Sequence, residues 1–422
     1  MKNPIDFSFI FNKLLKNSSC IEDFIVHEVL HILLDSEEFT SKAYFDSKSI
    51  HLKAPSLIHK LPCGSEHITR QYMLGSMDTP EGSYEDNARV MHLILDQLGY
   101  ITKEKRQKLS TEKFVCWLGD QLTMNRIRGI FYFWCQDSNS FDRGDGSIAV
   151  FGWMHMCMAW ENGLHKQYLD SEKGYGLQRA FILLNRWDLV NSSTKGSFHE
   201  QFPCTLWQVM EAHIHALWID VGGVAKLEDL RCCNGGEQQK MQPDQELIQV
   251  IMFLCDVLHY FVLTRGMKHG DVDLMEAMLP FALLRFIGGR NSHYTGEILE
   301  LMQGLAKEWP EDLANFVREH CWLMNTSGKP DEFIEADRIM EEGIKDIKVT
   351  HPSKGPKIDW KYLKKLHPII PLIRIIAEHV EHEFQTFTRY KKHTTPHDIK
   401  GIHLLQKTFT SSEANLHKYI PN

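Results

Sequence analysis

The chain has 422 residues, of which 43% are hydrophobic and 24% charged, a globular composition that can bury at least one large core. Its formal net charge of −8 at pH 7 excludes a nonspecific nucleic-acid coat, so any DNA contact requires a local basic surface. The charge does not exclude a metal-dependent nuclease, because the carboxylates that bind divalent ions are themselves acidic.

The cysteines and the apolar segments indicate the cellular compartment of the protein. Ten cysteines are scattered along the chain without a CxxC pair, which predicts reduced, mostly buried thiols in an intracellular protein. Residues 1–19 lack the unbroken apolar run and the cleavage site of a signal peptide. No stretch reaches about 18 uncharged apolar residues, so we expect no membrane span.

The first 120 residues alternate helical stretches with loops. Residues 1–50 predict short helices, because apolar residues recur at helical spacing in SSCIEDFIVHEVLHILLDSEEF. Proline and glycine mark a loop over residues 61–83, and the next helix, TPEGSYEDNARVMHLILDQLGY, ends at Gly99. The apolar segment KFVCWLG, residues 113–119, predicts a buried strand followed by Asp120.

A second strand candidate is IAVFGW, residues 148–153. A helix in LTMNRIRGIFYFW precedes it, and a helix in HMCMAWENGLHKQYL follows. The order strand, helix, strand, helix predicts two parallel strands in one sheet. Asp120 and His155 would then follow the carboxyl ends of these strands, the edge at which open α/β sheets place their chemistry.

The rest of the chain predicts helices. We therefore expect an α/β fold that is predominantly helical, with a small sheet and a large helical insertion. The expected parts are an N-terminal helical segment (1–60), an α/β core with strands near 113–120 and 148–153 (61–174), the helical insertion (175–325), and a C-terminal helical part that completes the core (326–422).

Asp120 has two interpretations. A carboxylate directly after a buried strand needs solvent, a metal or hydrogen-bond donors. It could cap the following helix by accepting backbone N–H groups, or bind a divalent metal. Gln121 and Arg126 follow as further polar candidates. His155 is either the catalytic partner of Asp120 or a core histidine bonded to a backbone carbonyl.

Acidic residues on later helices supply the other candidates. Asp337 and Glu341 are one helical turn apart, so both project from one face and could meet a metal bound by Asp120. An exposed acidic helix is the alternative. Glu297 flanks an apolar stripe and predicts a solvated polar flank. Asp271, in the segment GDVDLMEAM, is a further polar candidate.

His27, Glu28 and His31 match the HExxH pattern of zinc metallopeptidases, in which the histidines share a helix face and the glutamate polarises a water. With 23 histidines in the chain, a chance match is expected at roughly 0.1 per sequence of this length. No GxxH extension supplies a third ligand. The favoured interpretation is surface histidines beside a core stripe.

Six segments resemble, in order, the signature segments of the fungal "domain of unknown function 6589" family. The resemblance runs from about residue 60 to about residue 410, and the family has no established activity to carry over. The segments are LPCGSEHITRQYMLGSMDTPEGSYEDNARV, VCWLGDQLTMNRIRG, FGWMHMCMAWENGLHKQYL, GDVDLMEAMLPFALLRFIGGRNSHYTGEILELMQGLAKEWP, HCWLMNTSGKPDEF and KDIKVTHPSKGPKIDWKYLKKLHPIIP.

More distantly, the GDQLT and GWxH segments resemble strands of RNase H-like transposases of the hAT and Kyakuja–Dileera–Zisupton kinds. In such enzymes three carboxylates hold two divalent ions, Mg²⁺ or Mn²⁺, which activate a water and stabilise the leaving 3′ oxygen. The resemblance implies catalytic roles for Asp120, His155 and Glu341, metal binding by Asp120 and Glu341, and DNA as the partner.

The chain departs from that pattern at two places. Met340, Glu342 and Gly343 replace the residues that surround the third acid, and the family's upstream Asp-Asn segment has no counterpart beyond the poor match at residues 6–9. The resemblance therefore implies an N-terminally truncated, catalytically degenerate transposase domain. The alternative is a non-enzymatic helical domain that binds other proteins; a nuclease requires Asp120 and Glu341 to converge.

Overall fold

The computed structural model describes residues 4–39, 52–80, 82–170, 172, 176–191, 198–232, 245–350, 359–384 and 399–410. Helices predominate in these ranges, as the sequence predicts, and the strands are short. In chain order the elements are α1 (Phe7–Leu34), α2 (Tyr84–Gln97), α3 (Lys103–Thr111), β1 (Val115–Gly119), α4 (Gln121–Trp134), β2 (Ser147–Phe151), α5 (Trp153–Tyr168), α6 (Leu177–Leu183), α7 (Phe198–Gly222), α8 (Gln245–His269), α9 (Val272–Gly288), α10 (Ser292–Gln303), α11 (Glu311–Phe316), β3 (Leu323–Met324), β4 (Ile334–Glu335), α12 (Ala336–Thr350), α13 (Trp360–Leu366), α14 (Ile370–Phe384) and α15 (Ile399–Thr410).

The expectation of several short helices over residues 1–50 is wrong for the described part of that segment. A single helix of 28 residues, α1, covers Phe7–Leu34. The polar residues at the start of the segment SSCIEDFIVHEVLHILLDSEEF lie inside α1, where the Ser18 hydroxyl donates to the carbonyl of Leu14 at 2.9 Å. Packing of the apolar side against α7, α8 and α9 keeps this polar stretch helical.

The two predicted strands are confirmed. β1 and β2 pair in parallel, from Val115 opposite Ser147 to Gly119 opposite Phe151. The Gly152 amide then donates to the carbonyl of Gly119 at 2.9 Å and extends the ladder by one bond. Both strands therefore end at the same edge, where α4 and α5 begin.

A short hairpin brings α12 to that edge. β3 pairs antiparallel with β4, and β4 continues into α12 without a loop. The amide of Ala336, the first residue of α12, donates to the carbonyl of Trp322 at 3.1 Å. Trp322 is fully buried and packs edge-on against Trp153 of α5, with ring centroids 5.0 Å apart. This contact positions the first turn of α12 beside the start of α5.

One large core joins most of the described elements, from Ile21 of α1 to Phe409 of α15. Sheet pairing among the described residues consists of the β1–β2 and β3–β4 pairs. A predominantly helical fold is thus confirmed, whereas the RNase H-like character of the small sheet and the division into four parts stay predictions.

One helical stretch in the described ranges, Leu247–His269 of α8, is long and apolar enough to cross a membrane by length and composition alone. Half of its most apolar 18-residue stretch is buried against other parts of the chain, and α8 packs on α1, α5, α7 and α9. The core helix of a globular protein passes the same test, so this helix is weak evidence for a membrane span.

Candidate functional site

Four of the predicted site residues gather at the edge where β1 and β2 end. His155 Nδ1 lies 2.9 Å from an Asp337 carboxylate oxygen, and its Nε2 lies 4.0 Å from a Glu341 carboxylate oxygen. Asp120 and Glu341 are both close enough to raise the pKa of His155. The four residues, which we call the edge cluster, are Asp120, His155, Asp337 and Glu341.

Asp337 caps α5 from a distant part of the chain. The residue before α5, Gly152, has no side chain with which to accept the first free N–H groups of the helix. The Asp337 carboxylate accepts them instead, from Met154 and His155 at 3.1 Å each. Its side chain is 2% exposed, and the positive end of the α5 dipole stabilises its charge.

Gly152 is required by this cap. A Cβ atom built on Gly152 would lie 2.1 Å from Asp337 Oδ2, which is shorter than any real contact of a Cβ atom. The φ of Gly152 is −78°, so its backbone conformation suits any residue. Steric access for the carboxylate, rather than backbone freedom, therefore explains the glycine of the GWxH segment.

His155 is held by a carboxylate rather than by a backbone carbonyl. The hydrogen bond to Asp337 is the main cause of a raised His155 pKa, and the charges of Asp337, Glu341 and Asp120 add to it against the effect of burial. Its side chain remains 25% exposed. With Nδ1 donating to Asp337, the ring presents Nε2 towards Glu341, so it can exchange a proton there.

Asp120 is the N-cap of α4. Its Oδ1 accepts from the backbone amide of Thr123 at 2.8 Å, and the side chain is exposed. The capping interpretation is confirmed, while a role for Asp120 as a metal ligand stays a prediction. Gln121 and Arg126 lie on the first two turns of α4, both half-buried.

Glu297 is not the solvated residue that the sequence predicts. It is 3% exposed, and both of its oxygens accept from the Arg128 guanidinium at 2.5 Å. This two-point pair connects α10 to α4 behind the sheet edge. Tyr294, one turn earlier on α10, has a raised pKa because of burial and the nearby charges of Asp337, Glu297 and Asp120.

Asp271 lies away from the edge cluster and holds a loop. It is fully buried, caps α9 through the amide of Leu274 at 3.1 Å, and accepts from the amides of Ile58 and His59 at 2.9 and 3.1 Å. The amide of Leu61 donates to Gly270 at 2.9 Å beside it. The observed contacts of the GDVDL segment are thus structural.

The HExxH residues lie on α1, far along the chain from the edge cluster. His27 is buried, contrary to the expected surface position, and burial together with His31 and Arg265 lowers its pKa to about 4. Glu28 forms an ion pair with Arg265 of α8, and His31 Nε2 lies 3.0 Å from the carbonyl of Leu52. Within the ranges that the structure describes, no group of three His, Cys, Asp or Glu residues is arranged to hold a metal.

A second buried polar group was missed by the sequence reasoning. Glu161 of α5 accepts from the Tyr260 hydroxyl at 2.6 Å and contacts His199 Nδ1 at 2.5 Å. Glu161 lies one turn after Cys157, on the side of α5 that carries the buried Trp160 and Leu164. An acid on a core-facing stripe predicts a paired, buried charge, so the signal was present in the sequence.

The fold and the edge cluster define a predominantly helical α/β protein with an acid-anchored histidine at the end of a parallel strand pair. The chain belongs to a family of unknown function, DUF6589, which matches residues 1–239 and 231–393. This match confirms the family resemblance of the six sequence segments. Comparison with curated proteins found no match, and comparison with solved structures found none either.

Substituting Gly152→Ala should destabilise the protein, because the added methyl group displaces the Asp337 carboxylate from the α5 terminus. We expect a loss of about 2 kcal/mol in the free energy of unfolding, measured by urea denaturation. Gly163→Ala on the same helix is the control, since a Cβ there meets nothing within 4 Å. That change should raise stability by about 0.5 kcal/mol, and equal effects of both substitutions would contradict the capping role.

His155 should titrate above the ordinary histidine pKa of about 6.5. Its raised pKa in the folded state means that the stabilisation is fully present below the unfolded-state pKa and is lost as pH rises through the folded-state pKa. NMR titration of the imidazole, assigned with His155→Gln, measures the pKa directly. Asp337→Asn should lower it; a pKa that is unchanged in this variant would contradict the anchoring by Asp337.

Proposed function

We propose that this protein is a transposase-derived, RNase H-like domain that has lost nuclease activity and acts inside the cell by binding other macromolecules. The order of elements supports this proposal. Strand, helix, strand and helix come first, and a mainly helical stretch from α6 to α11 follows. α12 then returns two acids to the strand ends, where the third acid of such an enzyme would be placed.

The proposed loss of nuclease activity rests on Asp337, whose carboxylate is already hydrogen-bonded within the protein. A carboxylate with two backbone amides and an imidazole within hydrogen-bond distance, and almost no exposure, has little capacity left for a hydrated divalent ion. Asp120 uses one oxygen as a helix cap. Glu341 and His155 Nε2 are then the least committed donors, and these residues do not fit a two-metal site.

The proposal predicts no divalent-metal-dependent cleavage of DNA. Cleavage of a labelled duplex and of a single strand is measured with Mg²⁺ and with Mn²⁺, beside calorimetric Mn²⁺ titrations of the native chain, Asp120→Ala and Glu341→Gln. We expect no cleavage and three superimposable isotherms, because no pair of these acids is free to hold an ion.

Glu342→Gln is the matched control for the metal titration, since it removes an exposed acid next to Glu341 on α12. Saturable Mn²⁺ binding that weakens at least tenfold in Asp120→Ala and Glu341→Gln, but not in Glu342→Gln, would contradict the proposed loss of the metal site. Cleavage that disappears in the same two variants would establish an active nuclease.

DNA is the partner that the proposed ancestry favours, and α3 offers a local basic surface. Lys103, Lys105 and Lys108 are exposed on this helix. Arg106 is not available in the same way, because it forms an ion pair with Asp96 at 3.2 Å and packs over the Phe141 ring. The three lysines are therefore the residues that we propose to contact phosphates.

Replacing Lys103, Lys105 and Lys108 together by Glu should weaken DNA binding, since up to three phosphate contacts are lost. Fluorescence anisotropy across a salt series should show the slope of log K against log salt falling by up to about three. Lys226→Glu is the control, because Lys226 is also exposed but lies outside α3, where it pairs with Glu228. An unchanged slope in the triple variant would exclude α3 as the DNA contact.

A further inference from the structure

Helix α13 carries a row of exposed basic and aromatic side chains. Its N-cap, Asp359, accepts from the amide of Tyr362 at 2.7 Å, and Leu363 is buried against the rest of the protein. The other side of this short helix faces solvent. The exposed residues, which we call the α13 surface, are Trp360, Lys361, Tyr362, Lys364 and Lys365.

The order of these residues around the helix places charge between two aromatic rings. At about 100° per residue, Lys361 and Lys365 lie opposite the buried Leu363, and the two rings lie on either side of these lysines. Trp360 is 43% exposed and Tyr362 is 42% exposed. Within the described ranges, none of the three lysines of the α13 surface forms an ion pair. Cationic groups and ring faces are thus available together.

The basic helix α3 adjoins the same end of α2 as α13 does. Asp96 of α2 pairs with Arg106 of α3 at 3.2 Å, and it also lines a cavity beside Lys364 of α13. The Lys105 ammonium lies 3.9 Å from the position that a Cβ atom of Gly99, just after α2, would occupy. In a chain of formal charge −8, the two helices therefore form a local basic surface that complements a polyanion.

The cavity between α2 and α13 has room for an unpaired base. Its volume is about 440 Å³, within the range of small-molecule sites. Residues 76–79 line it, and Gly75 before them is held by the Gln97 side chain through two hydrogen bonds of 2.6 and 3.0 Å. Leu93 supplies apolar surface, and Asp78 supplies an acceptor for the N–H groups of a base edge.

We propose that the α13 surface, together with the lysines of α3, binds single-stranded nucleic acid. Lysines contact the phosphates, Trp360 and Tyr362 stack on bases, and the cavity beside Lys364 receives an unpaired base. A duplex keeps its bases stacked on each other and cannot offer their faces to these rings. This inference rests on the proposed binding of nucleic acid and adds that the bound strand is unpaired.

A lipid surface is the competing partner of the α13 surface. Helix α14 follows α13 closely and exposes apolar side chains such as Leu372 and Ile376. A helix that lies in a membrane interface keeps its own apolar face free and its lysines on the opposite face. In α13 the apolar Leu363 is already buried in the protein, and the rings lie beside the lysines. This arrangement favours bases over lipid.

Fluorescence anisotropy of the full chain with labelled oligo(dT), oligo(rU) and a DNA duplex of equal length tests the proposal. We expect both single strands to bind about tenfold more tightly than the duplex. Replacing Trp360 and Tyr362 together by Ala should weaken single-strand binding by about tenfold with the salt dependence unchanged, because stacking is lost. Trp360→Phe with Tyr362→Phe keeps both rings and should retain the affinity within about threefold.

Replacing Lys361, Lys364 and Lys365 together by Glu should instead change the salt dependence. For a single strand, the slope of log K against log salt should fall by up to about two, because three phosphate contacts are lost. Tyr132→Ala and Trp187→Ala remove exposed rings outside α13 and should leave binding unchanged. Circular dichroism checks that every variant stays folded.

Equal affinity for single strands and duplex, or Ala variants of Trp360 and Tyr362 that bind like the native chain, would overturn this inference and leave the proposed DNA binding in place. No binding to any of the three nucleic acids would overturn both. Flotation with phosphatidylserine vesicles tests the lipid alternative. Flotation that the same Ala variants abolish, without a preference for single strands, would assign the α13 surface to a membrane instead.

Discussion

The carboxylate of Asp337 is the interaction on which the arrangement of the edge cluster depends. It satisfies the free amides at the start of α5, fixes the orientation of the His155 ring, and attaches α12 to the strand ends. A buried charge of this kind is tolerated because two backbone amides, an imidazole and the positive end of α5 stabilise it. The same contacts that stabilise the edge leave the Asp337 side chain only 2% exposed.

Local sequence patterns predicted much of the frame around this interaction. The apolar runs before Asp120 and around residues 148–153 indicated strands, and the helix between them indicated parallel pairing, because these signals depend on near neighbours in the chain. Asp120 as a cap could be anticipated for the same reason. The continuity of α1 could not, since the polar residues near Ser18 stay helical only through packing against distant helices.

Local sequence patterns did not predict the partners of the buried acidic residues. Glu297 lies beside an apolar stripe, so its sequence context predicts a solvated side chain. In the fold it pairs with Arg128, which lies 169 residues earlier in the chain. Asp337 and Glu341 look equivalent in sequence, one turn apart. The fold separates them into a fully buried cap and an exposed neighbour of His155. Tertiary pairing, which no periodicity encodes, decides which acid is structural.

The distance along the chain between α5 and its cap has a consequence for the order of folding. The carboxylate that accepts from the amide of His155 lies 182 residues later in the sequence. During synthesis the β1–β2 pair can form with an uncapped α5, but the edge closes only after α12 has emerged from the ribosome. A nascent chain therefore passes through a state in which the strand ends are still open.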